Sequence, residues 1–85
     1  MTRAQRIEQA LRQAFPGDTV VVTDLSREHH GHAGYDPEGS HFRVRVLSGR
    51  FAGKGTLARH RLVYDVLDPL LRQEVHSITL DLHEA

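Results

Sequence analysis

The sequence predicts an α+β domain in which two helices are segregated from a three-stranded mixed sheet, in the order α-β-β-α-β. Three observations predict it. Two segments carry apolar residues at helical spacing, three short segments are β-branched or alternate apolar with polar residues, and Gly- or Pro-containing stretches separate them. At 85 residues the chain is read as one domain spanning 1–85, with room for a single small core. It has no cysteine, so packing alone must hold it together, and any metal chemistry falls to histidine.

The first element is an amphipathic helix. Thr2-x-x-Gln5 reads as a capping box, Ile7, Ala10, Leu11, Ala14 and Phe15 fall on one face, and Pro16-Gly17 ends the run. Thr19 to Thr23 is β-branched throughout, while Phe42, Val44 and Val46 alternate with Arg43 and Arg45, so both are strands and the second buries one face. The histidine- and glycine-rich segment between them far exceeds the usual connection of about 4–6 residues, more than a hairpin needs. After a turn at Ser48-Gly49-Arg50, Thr56 is a plausible N-cap for a long helix carrying Leu57, Val63, Tyr64, Leu67, Leu70 and Leu71. Pro69 is expected to kink or restart that helix, because it lacks the amide that would bond residue 65. Ile78, Leu80 and Leu82 alternate with Thr79, Asp81 and His83 as the closing strand.

No run approaches the roughly 18 apolar residues of a membrane helix, and the N-terminus lacks the apolar stretch of a signal peptide. The expectation is a soluble cytoplasmic protein without membrane contact. Eleven basic and eleven acidic side chains balance, yet Arg43, Arg45, Arg50, Lys54, Arg59 and Arg61 occupy a stretch without any acid. A basic face is therefore possible.

The run F-A-G-K-G-T-L-A-R-H-R-L-V-Y-D-V-L from Phe51 to Leu67, with Val75-His76-Ser77-Ile78 after it, resembles the BolA family. The family joins F-x-G, then R-H-R-x-V-Y on a helix, then a hydrophobic residue and a histidine opening the last strand. Upstream, Asp24-x-Ser26 before a histidine-glycine loop and Ser40-His41-Phe42 extend the likeness to about residues 4–83. The resemblance implies the class II KH-like arrangement, with the helices on one face of the sheet and a short helical turn near Phe51 to Gly53. It also implies an adaptor that shares a 2Fe-2S cluster with a monothiol glutaredoxin and glutathione, in iron-sulfur trafficking or iron regulation. In that family the histidine at the position of His76 is the main ligand, and one from the loop between the first two strands is the second. Aligned on Asp24-Leu25-Ser26-Arg27-Glu28-His29, the loop ligand is His29, with His32 as runner-up and His30 an added ambiguity. Ser77-Ile78 replace the usual alanine and leucine, a change that keeps the parity of the core residues.

Residue type alone leaves both histidine sites open. Seven histidines is a marked bias, yet a polar loop also collects solvated imidazoles, and the spacing of His29, His30 and His32 matches no zinc pattern. His76 reads equally as a strand-end histidine bonded to nearby backbone. His41 reads as a strand-edge or hydrogen-bonding histidine and His83 as one that faces solvent. Arg59, His60 and Arg61, with Lys54, form either a solvated basic face or a contact surface, since guanidinium bonds carboxylates such as those of glutathione in bidentate fashion. A chain without thiolate must borrow sulfur from its partner, and imidazole ligation weakens as acid protonates the ring.

Catalysis is the weakest functional class, because no nucleophile sits in an elbow and no carboxylate pair has a distinctive spacing, so the chain reads as a non-enzyme. The alternative is a nucleic-acid-binding transcriptional regulator that uses the basic stretch 43–61 on possible DNA. Against it, the G-x-x-G clamp of KH domains is missing, and Tyr35 is the one aromatic evidently free to stack. A third class is a plain interaction module that needs no cluster. Free of its partner, the chain is expected to be a monomer or weak homodimer.

Overall fold

The computed structural model describes residues 1–25, 41–73 and 77–85. Helix α1 spans Arg3–Ala14, strand β1 Thr19–Asp24, strand β2 His41–Leu47, helix α2 Thr56–Gln73 and strand β3 Ser77–His83, with a 3-10 helix at Gly49–Phe51 between β2 and α2. The predicted α-β-β-α-β order of an α+β domain is therefore the observed one.

The capping box starts α1 as the sequence dictates. Thr2 Oγ1 accepts the Gln5 amide at 3.1 Å, and Gln5 Oε1 accepts the Thr2 amide at 2.8 Å, so two otherwise orphaned donors are satisfied reciprocally. Ile7 and Leu11 bury completely on the helix face that meets the sheet. At the exit the Phe15 amide bonds the Leu11 carbonyl, and Gly17 takes φ +80°, where a side chain would be strained. That turn delivers the chain into β1.

β2 is the central strand of the sheet. It pairs antiparallel with β1, with Val20 opposite Val46 and Val22 opposite Val44, and parallel with β3, with Phe42 opposite Ile78 and Val44 opposite Leu80. Parallel neighbours require a crossover, and α2 supplies it. Strand alternation then sorts the side chains: Val20, Phe42, Val44 and Val46 face the helices, whereas Val21, Arg43 and Arg45 are exposed on the far face. The core closes with Phe15, Phe51, Val63 and Leu67, and Ile78, Leu80 and Leu82 of β3 pack partly buried against it.

Four local expectations are corrected. The helical turn falls at Gly49–Phe51 rather than at Phe51 to Gly53. Ser48 caps it by accepting the Arg50 amide at 3.1 Å. Thr56 is the first helical residue rather than the cap, since the Gly55 carbonyl already accepts the Arg59 amide at 3.1 Å. α2 does not restart at Pro69 but runs through it as one helix, with Leu67, Leu70 and Leu71 packed on the core around it. Leu57 and Tyr64 are 64% and 40% exposed, so neither belongs to the apolar face of α2.

Candidate functional site

The two ends of the sheet carry different chemistry. At one end β1 runs out and β2 and β3 begin: the Leu25 amide bonds the His41 carbonyl at 2.9 Å, and His41 stands opposite Ser77 in register. The topology thus gathers at one sheet end both anchors of segment 26–40 and the residue that follows His76. His29, His30, His32 and His76 themselves lie outside the described residues. His41, the one described histidine at this end, opens the central strand and places Nε2 3.2 Å from Thr79 Oγ1, so it is a hydrogen-bonding histidine rather than one on a sheet edge. Among the described residues no three His, Cys, Asp or Glu side chains gather as a metal would require.

Lys54, Arg59, His60 and Arg61 come together at the opposite end. Arg59 Nη1 lies 3.4 Å from the Leu82 carbonyl, which is about 16 Å along β3 from Ser77. The four residues therefore neighbour one another, but not the sheet end that Ser77 marks. Their roles also differ. Arg59 Nε donates to the Lys54 carbonyl at 2.8 Å, and its guanidinium lies 6.0 Å from the centre of the Phe51 ring. It ties the loop before α2 to the end of β3. His60 meets Tyr64 edge to face at 6.2 Å, and no described residue pairs with exposed Arg61 or the Lys54 ammonium. A shallow groove between them is lined by Leu57, Ala58 and Leu62 and closed by Asp65.

The exposed apolar pair Leu57 and Tyr64 was the part of this surface that sequence reading misplaced. At i and i+7 they share a stripe that continues to Leu71, which packs against the core, so helical spacing alone did not mark the pair as exposed.

The basic stretch does not form one face. Arg43 and Arg45 stand on the open side of the sheet, where Arg45 lies 3.7 Å from Asp81, which also pairs with His83. Arg50 instead bonds the Ala14 carbonyl at the end of α1 at 2.5 Å and covers the Phe15 ring at 4.9 Å. Of six cations in a row, two thus serve main-chain carbonyls and one is partnered by a carboxylate.

The family model for BolA-like protein matches residues 11–84. The chain belongs to the BolA family. It is 41% identical over 76 residues to the DNA-binding transcriptional regulator BolA of Escherichia coli, covering 89% of this chain and 70% of that one. BolA1 from Arabidopsis thaliana superposes with a TM-score of 0.84 at 30% identity, over 99% of this chain and 93% of that one. The BolA domain of Arabidopsis SufE1 superposes at 0.83 with 33% identity, again over 99% and 93%. The chain spans only 23% of full-length Arabidopsis SufE-like protein 1, so there the BolA fold is one part of a longer protein. No described helix of this BolA-family chain is long and apolar enough to cross a membrane.

Proposed function

We propose that this BolA-family chain is a non-catalytic cytoplasmic adaptor that shares a 2Fe-2S cluster with a monothiol glutaredoxin, in iron-sulfur cluster trafficking or iron regulation. The observation that carries the reading is the register that puts Leu25, His41 and Ser77 at one end of the sheet. A histidine just before Ser77 and one on the segment between Leu25 and His41 are tethered to the same sheet end, as two ligands to one iron must be. The donor set fits such a group: with no cysteine, the chain offers imidazole alone, and the glutaredoxin and glutathione supply the sulfur. His76 is the first ligand in this reading and His29 the second, with His32 as the other candidate from the loop. The cluster, when bound, supplies electron-transfer and iron-donating chemistry that no side chain of this protein has. Lys54, His60 and Arg61, at the far end of the sheet, are then a separate docking contact for the partner, with Arg59 holding the backbone beneath them.

Mixing the chain with a monothiol glutaredoxin, iron, sulfide and glutathione tests the reading through the visible spectrum of the purified mixture. A coloured mixed complex is expected, lost on His76→Ala with the fold retained and altered, without loss of the partner, on His29→Ala. A mixture that stays colourless, or a His76→Ala variant that only loses stability, contradicts it.

The Escherichia coli relative's description as a DNA-binding transcriptional regulator favours one second reading, nucleic-acid binding. The scattered cations weigh against it, since a phosphate backbone needs several on one surface.

A further inference from the structure

β1 forms an outer edge of the sheet, with β2 its one strand neighbour among the described residues. The bond from the Leu25 amide to the His41 carbonyl fixes the parity of the ladder. Thr19, Val21 and Thr23 exchange hydrogen bonds with β2, and the amides and carbonyls of Val20 and Val22 point away from it. Arg12 agrees with that parity: held 3.3 Å from Glu8, its Nη2 donates to the Val20 carbonyl at 3.1 Å. No described residue meets the amide or carbonyl of Val22.

An open edge of β-branched residues is a template for another strand, and proteins commonly blunt such edges with charge. Here the blunting is one guanidinium on one carbonyl. The strand is also its own complement, since Thr19-Val20-Val21-Val22-Thr23 reads identically in both directions about Val21. Laid antiparallel against a second copy, Val20 stands opposite Val22 and Thr19 opposite Thr23, with no ionised side chain in the paired run. Val21, 47% exposed on the open face, meets its own image on the two-fold axis.

We propose that β1 is a self-pairing edge at which two copies of this chain join their sheets antiparallel about Val21, and that Arg12 opposes the pairing by occupying the Val20 carbonyl. The inference is independent of the cluster, which concerns the ends of the strands rather than this edge. In the dimer the Val20 carbonyl accepts the Val22 amide of the second copy, so the Arg12 bond must be given up first. That exchange keeps the association weak.

Sedimentation equilibrium of the full chain over a concentration series, with amide hydrogen exchange on the same samples, tests the proposal. Arg12→Ala is expected to lower the dimer dissociation constant by about a hundredfold, because each of the two copies no longer surrenders a charge-assisted hydrogen bond worth about tenfold. The Val22 amide should become protected as concentration rises, while the Val21 amide, already bonded to β2, should not change. Adding Val21→Lys at its exposed position should return the Arg12→Ala protein to monomer by opposing two cations across the axis. Identical curves for the wild-type and Arg12→Ala proteins overturn the proposal. So does a dimer that survives Val21→Lys or leaves Val22 exchange independent of concentration.

Discussion

Arg59 and Arg61 stand in one Arg-His-Arg run, yet they do different work. Arg59 bonds two main-chain carbonyls from separate elements, whereas Arg61 meets no described partner. Arg59→Ala is expected to destabilise the fold by about 1–2 kcal/mol, because the Lys54 and Leu82 carbonyls lose a charged donor. Arg61→Ala should stay within about 0.5 kcal/mol, as exposed substitutions generally do. Urea unfolding with an unchanged slope measures both, and if the partner docks on this surface Arg61→Ala should weaken the mixed complex without touching stability. Nothing local separated these two arginines in the sequence, because the Leu82 carbonyl is 23 residues from Arg59. His41 is the contrasting case: its position at the start of an alternating strand was enough to expect a hydrogen-bonding histidine at the strand's end, and its bond to Thr79 is observed.

Elements were legible wherever short-range chemistry decided them. The capping box of α1, the stop at Pro16-Gly17 and the alternation of β2 are all written within a few residues, and each is observed. α2 was harder because Pro69 and the leucines around it, Leu67 buried and Leu70 and Leu71 partly so, make opposite demands, and only the packed structure shows that the helix continues. Pro69→Ala restores the amide that bonds the Asp65 carbonyl and should stabilise the protein by roughly 1–2 kcal/mol, after allowance for the freer unfolded chain. Thermal unfolding followed by helix ellipticity reads the change, and an unchanged or lower midpoint would mean that the proline's ring contacts outweigh the missing bond. The 3-10 helix shows the same limit in miniature: Ser48 as its cap depends on burial that the turn residues alone do not reveal.

Across the whole molecule, the fold class and element order follow from the pattern together with the family resemblance, and the superposed structures bear both out. The candidate site was legible only in part. The topology gathers the anchors of both histidine-bearing segments at one sheet end, but His29, His32 and His76 fall outside the described residues, and the basic quartet lies at the other end. The split of the cations carries its own expectation. Nucleic-acid affinity, if measured against salt, should fall with a slope of no more than about −2, the value for two or three phosphate contacts, rather than the −4 to −5 that six would give. The most direct measurement of the central claim is X-ray absorption at the iron edge of the purified complex with a monothiol glutaredoxin. The expected result is imidazole nitrogen bound to iron in the wild-type complex and missing in the His76→Ala complex; iron bound by sulfur alone in both would contradict it.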